Sequence, residues 1–375
     1  MRPSLFQRLL PDGRLHLQEG PIDLIIEACG VEAEVRRAYA AACQCFGAVL
    51  PGLVDELADL RKPVGQAVFQ GPVARRMAAA CAVHAGTFVT PMAAVAGAVA
   101  DHVLAAMTGA AALSRAYVND GGDIALHLTP GETLACGLVA EIADPKMNGR
   151  AVIAAEMPVR GIATSGRATL NEGGRSFSLG IADAVTVFAG SAAAADVAAT
   201  LIANAVDLPG HAAITRRPAC EIDPDSDLGE RPVTLAVGDL SPVDVLAALS
   251  RGEVVARVMQ AQRLIEAAVL YLRGEAVIVG GEGMLPSPLT WQHSSETGIG
   301  NAPVATPRLS SRGLTPGPNA LSGAEDFAAM GSALAAGKGA SVVRLAHALT
   351  PMGPGIKSRD DSGYDGWNAA SLAEA

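Results

Sequence analysis

Apolar and polar residues alternate through the first thirty positions of the chain, which is the pattern of antiparallel strands. The turns PDG and EGP separate three such segments, SLFQRLL, RLHLQ and IDLIIEA. Proline sets the first dihedral angle of a turn and glycine accepts the positive φ that follows, so PDG between alternating segments indicates a hairpin. The pattern therefore predicts that an antiparallel sheet begins here.

The apolar spacing then becomes helical from Val31 to about Leu60, with an interruption expected at Pro51. Further helices are predicted over Pro72–His84 and about Met92–Met107. Strands are predicted to return at about Leu113–Val118, Ile124–Leu128, Leu134–Ile142, Ala151–Met157 and Ala184–Phe188. Helices and strands that come in blocks, without βαβ alternation, predict an α+β fold.

Two later helices carry start signals. Ser191 is expected to cap a helix that reaches Val206, and Ser241, followed by Pro242, is expected to cap another. The segment AVLYLRGEAVIV after the second helix predicts a hairpin. We expect compact structure to stop near Gly281.

Beyond that point Pro, Ser, Thr and Gly dominate, and no hydrophobic period is sustained. Two parts are therefore predicted, a folded domain over residues 1–282 and a mostly disordered tail over residues 283–375. Within the tail, Leu321–Leu349 is rich enough in alanine for one or two short helices, although AAGKGAS interrupts them.

Composition and charge exclude several classes of function. The net charge is −10 and no run of Lys and Arg is interleaved with aromatic residues, so nucleic-acid binding is not expected. The first twenty residues carry charges and a turn where a signal peptide needs an apolar core. Six scattered cysteines without a CxxC motif favour reduced thiols and a cytoplasmic location.

The longest uncharged run, Met77–Ala100, is long enough to cross a bilayer. It contains a histidine, two threonines and a proline, so a buried helix pair joined at GTFVTP is the favoured interpretation, and no membrane contact is expected. Cys81 and His84 would lie on one helix face as half of a metal site. A core cysteine beside a hydrogen-bonded histidine is the favoured alternative.

The segment YVNDGGDIALHL, Tyr117–Leu128, raises the main functional question. Its Asn, two Asp and two Gly fit either an ordinary hairpin turn or a loop that holds an ion or a phosphate. The residues alone leave both interpretations open.

Two other clusters have the chemistry of a site. Asp196, Thr200 and Asn204 stand four residues apart, so they share one helix face. Their oxygen atoms suit a hard cation such as Mg²⁺, and a solvated helix face is the competing interpretation.

The second cluster is VRGIATSGRATL, in which TSG lies between Arg160 and Arg167. Small hydroxyl residues and glycine let a ligand approach the backbone, and guanidinium groups suit phosphate or carboxylate. A plain turn with two exposed arginines is the competing interpretation. Because no GxSxG motif is present, a hydrolase nucleophile is not expected.

NDGGDI, GIATSG and SAAAADVAAT occur in the order seen in the ApbE class, the flavin transferases that attach FMN from FAD to a protein threonine. The longer segments GPVARRMAAA, TPMAAVAGAVAD and GIADAVTVFAGSAAAADVAATLIANAV resemble more closely an uncharacterised ApbE-like family of bacterial and archaeal proteins. Together these segments cover most of the chain from Met1 to about Gly281.

The resemblance implies an α+β fold of the ApbE type, with two antiparallel sheet layers flanked by helices and a central ligand cleft. It implies that Mg²⁺ is held by Asp196 and Thr200, with the backbone carbonyl of Ala96 in AVAG as a third ligand. It also implies a flavin nucleotide or a similar phosphate-bearing small molecule as the ligand. The residues implied to bind that ligand are Asn119, Gly121, Gly122, Asp123, Thr164, Ser165 and Gly166.

The chain departs from the transferase pattern at two places. Gly97 stands where the transferases carry lysine, and the segment after TSG lacks their histidine and Asp-Pro. We therefore expect binding of a phosphate-bearing ligand without transfer of FMN. An FAD:protein FMN transferase and a non-catalytic carrier or sensor of a flavin- or pterin-like molecule stay open as alternatives, so the sequence does not decide whether the protein is a catalyst. The sequence also leaves the oligomeric state open.

Overall fold

The computed structural model describes residues 5–139, 147–166 and 177–285. The strands in these ranges are β1 Phe6–Leu9, β2 Leu15–Glu19, β3 Ile22–Gly30, β4 Leu113–Asp120, β5 Asp123–Leu128, β6 Thr133–Val139, β7 Met147–Ala154, β8 Gly161–Ser165, β9 Ala184–Ala189, β10 Ile214–Pro218, β11 Pro232–Val237, β12 Ala267–Leu272 and β13 Glu275–Gly280. The helices are α1 Glu32–Phe46, α2 Val49–Asp55, α3 Leu57–Leu60, α4 Pro72–Ala82, α5 Val95–Ala110, α6 Ala192–Ala205, α7 Ala219–Ile222 and α8 Pro242–Ala261, with a 3₁₀ turn over Pro91–Ala94 before α5. This mixture confirms the predicted α+β class.

Nine of the described strands form one antiparallel sheet in the order β1-β2-β3-β4-β5-β8-β9-β12-β13. The β6–β7 hairpin forms a second antiparallel layer, and β10 pairs with β11. Helices α5 and α6 pack on the centre of the large sheet, against β4, β5, β8 and β9. We call the side of the large sheet that these helices cover the helix face, and the side that β6 and β7 cover the hairpin face.

Local signals predicted several elements correctly. The Ser191 hydroxyl accepts a hydrogen bond from the Ala194 N–H at 3.2 Å and caps α6. Ser241 caps α8 through a capping box that it forms with Asp244. The predicted hairpin after α8 is β12 and β13, with Arg273 and Gly274 in its turn. Each of these signals acts within a few residues of its own position, so it can be recognised without knowledge of the fold.

Two predictions about the chain path were wrong. The helix break lies at Gly47–Ala48, between α1 and α2, while Pro51 lies in the first turn of α2. Proline is tolerated there because the first-turn N–H groups have no partner within the helix. The segment Gly161–Thr164, interpreted as part of a turn or ligand loop, belongs to strand β8, which pairs with β5 and β9 inside the large sheet.

The predicted helix pair within Met77–Ala100 is present as α4 and the start of α5. Met77 and Cys81 of α4 and Val99 of α5 are fully buried. By length and composition, the helical stretches Glu32–Asp55 and Pro91–Ala110 are apolar enough to cross a membrane, with 33% and 50% of their apolar windows buried inside the protein. Core helices commonly have the same composition.

Most of the predicted tail, residues 286–375, lies outside the described residues. The described chain ends with Gly283–Leu285, and Met284 is buried against the β6–β7 layer. The Met284 carbonyl accepts a hydrogen bond from the Val152 N–H at 3.0 Å. The chain is therefore still part of the fold at this residue.

Candidate functional site

The segment NDGGD is a tight hairpin turn between β4 and β5. Asp120 pairs with Asp123 across the two strands, and Gly121 and Gly122 form the turn with φ of 61° and 112°. These positive φ values favour glycine, since a Cβ is strained there. The Asn119 side-chain oxygen accepts a hydrogen bond from the Gly122 N–H at 2.8 Å, which fixes the turn.

The alternation of side chains along β4 and β5 separates the predicted ligand residues. Val118 and Ala125 belong to the core under the helices, so Asp120 and Asp123 point toward the helix face. Asn119 alternates with them and points toward the hairpin face. The carboxylates and the amide of this segment therefore lie on opposite sides of the sheet.

Strand β8 brings TSG next to this turn. The Thr164 N–H donates to the Asp123 carboxylate at 3.3 Å, and the Thr164 hydroxyl lies 2.9 Å from that of Thr186. Thr164 points toward the hairpin face because Ile162, two residues before it, belongs to the hairpin-side core. Ser165 points toward the helix face because Ala163, two residues before it, belongs to the helix-side core. Both predicted ligand segments therefore lie at the same end of the large sheet, but their side chains point to its two opposite faces.

Two other residues of the TSG segment have structural explanations. A Cβ on Gly166 would lie 2.1 Å from the Asp183 carbonyl oxygen, so glycine permits a close approach of two backbone segments. The half-buried Arg160 guanidinium donates to the carbonyls of Ala155, Met157 and Val159. The plain-turn interpretation with two exposed arginines is therefore wrong for Arg160, whose guanidinium binds backbone carbonyls, and Arg167 lies outside the described residues.

The polar stripe of α6 is buried. The exposed fractions of Asp196, Thr200 and Asn204 are 0%, 1% and 3%. The solvated-face interpretation is therefore wrong. The reason is tertiary, since α5, α8 and the large sheet enclose α6.

Helices α5 and α6 cap each other. The Asp101 carboxylate of α5 accepts hydrogen bonds from the Ala192 and Ala193 N–H groups at 3.0 and 2.9 Å. In return, the Asp196 carboxylate of α6 accepts one from the Gly97 N–H at 3.1 Å. Both carboxylates bind N–H groups in the first turn of the opposite helix, where such groups lack intrahelical partners. The sequence interpretation missed Asp101, whose only signal was a lone acid in an apolar helix.

The reciprocal caps explain Gly97. A Cβ at this position would lie 2.3 Å from the Ala192 carbonyl oxygen, so the two helices require glycine here. The lysine that the transferases carry cannot be accommodated in this arrangement. Glycine at position 97 therefore removes the lysine cation and also permits the close packing of the two helices.

The rest of the stripe leaves two polar atoms without a partner within the described residues. The Asn204 side-chain oxygen accepts a hydrogen bond from the Leu179 N–H at 3.0 Å. Within the described residues, neither the buried Thr200 hydroxyl nor the Asn204 side-chain nitrogen has a hydrogen-bond partner. Buried polar groups are nearly always hydrogen bonded, and of these two atoms only the Thr200 oxygen can bind a cation.

Ala96 lies in the first turn of α5, next to the capped Gly97. The peptide between them is trans, so its carbonyl points away from the N–H that Asp196 binds. Ala96 as a third metal ligand stays a prediction.

Carboxyl groups are concentrated around the stripe. Asp120 is 8% exposed. Burial raises the pKa of Asp120 well above its ordinary value, and the carboxylates of Asp123 and Asp196 raise it further, although a backbone N–H of Asp23 opposes them. Burial also raises the pKa of Asp101, against the lowering effect of the two N–H groups that it caps. The site therefore combines several acids whose negative charge is costly.

A cleft of about 410 Å³ opens beside Asp120. It lies between the α2–α3 segment, the start of α5 and the loop that follows α7. Among the residues predicted to bind metal or ligand, Ala96 lines this cleft, and Asp120, which the sequence interpretation did not select, lines it too.

The donor set fits a Mg²⁺ ion that takes only one or two ligands from the protein and the rest from water and phosphate. Within the described residues, no three His, Cys, Asp or Glu side chains are grouped so that they could hold a metal together. Mg²⁺ is commonly bound by one or two protein ligands while phosphate oxygens and water fill the other positions. Asp196 and the unpartnered hydroxyl of Thr200 suit that arrangement.

The alternative half-site at Cys81 and His84 has the features of a protein core. The Cys81 thiol is buried and donates to the Thr90 carbonyl at 3.4 Å. Burial lowers the pKa of His84 to about 4 and raises that of the Cys81 thiol. A neutral histidine and a protonated thiol are typical of buried structural residues.

Known proteins resemble the chain at several levels. A family model described as "AbpE bacteria" matches residues 7–278. A UPF0280 protein of Methanosphaerula palustris is 40% identical over 137 residues, which are 36% of this chain and 54% of that protein. A UPF0280 protein of Methanospirillum hungatei is 36% identical over 157 residues, which are 40% of this chain and 57% of that protein. The chain thus spans about half the length of the curated relatives it matches.

A solved structure covers a larger part of the chain at lower similarity. The crystal structure of the ApbE protein from Thermotoga maritima aligns with a TM-score of 0.31 and 10% sequence identity. The alignment covers 75% of this chain and 98% of that one.

Proposed function

This chain belongs to the "AbpE bacteria" family of ApbE-like proteins, and from that premise we propose that it binds a phosphate-bearing, cofactor-like small molecule together with Mg²⁺. The ion would be held by Asp196 and Thr200, and the ligand would occupy the cleft beside Asp120. A flavin nucleotide is the first ligand to test.

The observation that carries this proposal is the buried Thr200 hydroxyl without a partner, one helical turn from Asp196. A hydroxyl in this position loses its hydrogen bonds to water on folding and gains none from the described protein. A bound cation would accept that oxygen as a ligand.

The surrounding charges support the same proposal. Burial and then the Asp123 carboxylate raise the pKa of Asp120, and the Asp196 carboxylate raises it further. Like charges held close together in a buried site are unfavourable unless a proton or a metal cation balances them. A divalent ion would relieve this repulsion and would allow a phosphate to enter an acidic cleft.

The residues of this chain would have distinct tasks. Asp196 and Thr200 would hold the ion, and the hydrogen bond from Gly97 would fix the orientation of Asp196. When bound, Mg²⁺ neutralises phosphate charge and polarises the bonds to phosphorus. The cleft walls would shield the ligand from water.

Asp120 favours a second candidate function, a Mg²⁺-dependent transferase. A carboxyl group with a strongly raised pKa on the wall of a cleft is typical of a general acid or base. The absence of the transferase lysine at Gly97 counts against transfer of FMN, because a poorly oriented dinucleotide reacts orders of magnitude more slowly. A non-catalytic carrier or sensor is the remaining alternative.

Titration calorimetry with FMN, with and without Mg²⁺, tests the binding proposal. Thr200→Val removes the unpartnered hydroxyl at nearly constant volume, and we expect the Mg²⁺-dependent affinity to fall by about tenfold or more. Thr108→Val is the matched control, since it removes a helical threonine hydroxyl on α5 that donates to the Leu104 carbonyl at 3.0 Å. The control should bind normally. Equal Mg²⁺ dependence in Thr200→Val and the parent would refute the proposed ion site.

An assay with FAD, Mg²⁺ and a threonine-containing acceptor protein separates the two candidates. In-gel flavin fluorescence should show no labelling if the protein only binds its ligand. Robust labelling that disappears in Asp120→Asn would establish the transferase instead.

A further inference from the structure

The cleft beside Asp120 has two walls of different chemistry. The first wall is apolar and comes from α2, α3 and the start of α5, with Leu53, Leu57, Leu60, Met92 and Val95 among its residues. The second wall is the loop after α7, which contributes Asp223, Asp225, Ser226 and Asp227. We call this second wall the acidic rim.

Local hydrogen bonds hold the acidic rim in place. The Asp223 carboxylate accepts the Asp225 N–H at 3.0 Å, and the Ser226 hydroxyl accepts the Leu228 N–H at 3.3 Å. The buried Thr90 hydroxyl donates to the Asp227 carboxylate. The rim is therefore fixed to the body of the protein at its inner end.

The charge of the cleft is strongly one-sided. The described residues that line it include four carboxyl groups and one guanidinium group, that of Arg61, and the carboxyl groups of Asp223 and Asp225 are exposed to solvent. Such a lining repels anions and attracts groups that carry positive charge or hydrogen-bond donors. The apolar wall, in contrast, favours a ring that can be removed from water.

We propose that this cleft binds a planar aromatic ring that carries amino or ring N–H donors, and that it discriminates against an anionic ring of the same size. The ring packs on the wall formed by α2, α3 and α5, and its donors point toward the acidic rim. This inference rests on the proposed function, in which the phosphate end of the ligand lies at Asp196. It narrows the ligand from any phosphate-bearing cofactor to one with a donor-rich ring.

The size of the cleft agrees with such a ring. Its volume of about 410 Å³ lies within the range of roughly 300–1,000 Å³ that is usual for small-molecule sites. Donors that reach carboxylates form charge-assisted hydrogen bonds, which are stronger than bonds between neutral groups. The same carboxylates penalise a negatively charged substituent.

Two acridines without phosphate provide the test. Proflavine carries two amino groups on a cationic ring, and acridine-9-carboxylate carries an anionic group on the same ring system. Binding to the full chain is followed by fluorescence anisotropy in EDTA. We expect proflavine to bind about tenfold more tightly or better, because like charges facing each other weaken binding.

Variants show whether the selectivity arises in the cleft. Asp223→Asn combined with Asp225→Asn should remove most of the preference for proflavine. Glu253→Gln combined with Glu275→Gln removes the same charge from α8 and β13, and it should retain the preference. Val95→Phe should weaken both ligands, because it fills the apolar wall.

Equal binding of the two acridines would overturn the proposal, as would a preference that is lost in the α8–β13 control but kept in the rim variant. Neither acridine carries phosphate and no Mg²⁺ is present, so this result is independent of the ion site. If FMN binding does not depend on Mg²⁺ but the preference for proflavine is still observed, the proposed ion and phosphate site is wrong, and the proposed ring site is supported.

Discussion

Replacement of Asp120 by asparagine should stabilise the protein at neutral pH. Asparagine has the shape of a protonated aspartate but cannot ionise. Burial, followed by the Asp123 carboxylate, raises the pKa of Asp120 well above the ordinary value of 3.8. The parent must therefore either bind a proton at this site or bury a charge near other carboxylates.

The sign of the pH dependence follows from this raised pKa. Below the ordinary value, Asp120 is protonated in both the folded and the unfolded protein. As the pH rises toward the raised value, the unfolded chain releases the proton first, so stability falls through this window and stays reduced above it. The asparagine variant should not show this loss.

The magnitude is set by how far the pKa is raised. Each pKa unit corresponds to ~1.4 kcal/mol of stability, and in a domain of this size ~1 kcal/mol changes the melting temperature by roughly 2–4 °C. The Asp120 side chain is more than nine-tenths buried, so solvent screens this effect little. We expect the variant to melt several degrees above the parent near neutral pH, with the difference shrinking as the pH approaches about 4.

Calorimetric unfolding in EDTA between about pH 4 and pH 8 measures the effect. Asp223→Asn is the control, since this carboxylate is exposed on the rim of the same cleft and should give no such gain. Addition of Mg²⁺ and FMN should stabilise the parent more than the Asp120→Asn variant. If the variant is no more stable at neutral pH, or is equally stabilised at every pH, the argument from buried charge is wrong.

Three further changes test the helix contacts. Asp101→Ala leaves two N–H groups of α6 without an acceptor and should cost about 3 kcal/mol, measured by urea unfolding, whereas Asp101→Asn should cost less. Gly97→Ala should destabilise the protein by more than about 2 kcal/mol because its Cβ would meet the Ala192 carbonyl, and a melting temperature equal to that of the parent would contradict this packing. Ser241→Ala should cost about 1 kcal/mol through loss of the α8 cap, with Ser250→Ala on the exposed face of α8 as the control for the same change outside a cap.

The sequence alone determined the features that depend on near neighbours. The caps at Ser191 and Ser241 act within three residues, and the glycine-containing turns fix the hairpins that contain them. The periods of two and about 3.6 residues predicted most of the longer strands and helices, although β8, β10 and β11 were not recognised. The longer motifs also gave the family, which the match over residues 7–278 confirms.

The sequence also predicted that Asp196, Thr200 and Asn204 share a face, but it did not determine what that face contacts. Periodicity relates side chains to the axis of their own helix and contains no information about the neighbouring elements. The position of α6 beneath α5 decided that the stripe is buried. The partner of Asp101 lies 91 residues away along the chain, so no local pattern could reveal it.

The tertiary structure likewise decided the arrangement of the ligand segments. Asn119 and Asp120 are neighbours in sequence, yet β4 directs them to opposite faces of the sheet, and only one of those faces meets α6. The short β8 became a strand because β5 and β9 supply hydrogen bonds on both of its sides. Contacts of this kind depend on pairing between distant parts of the chain, which is why residue types alone indicated the chemistry of the site but did not show which groups would meet.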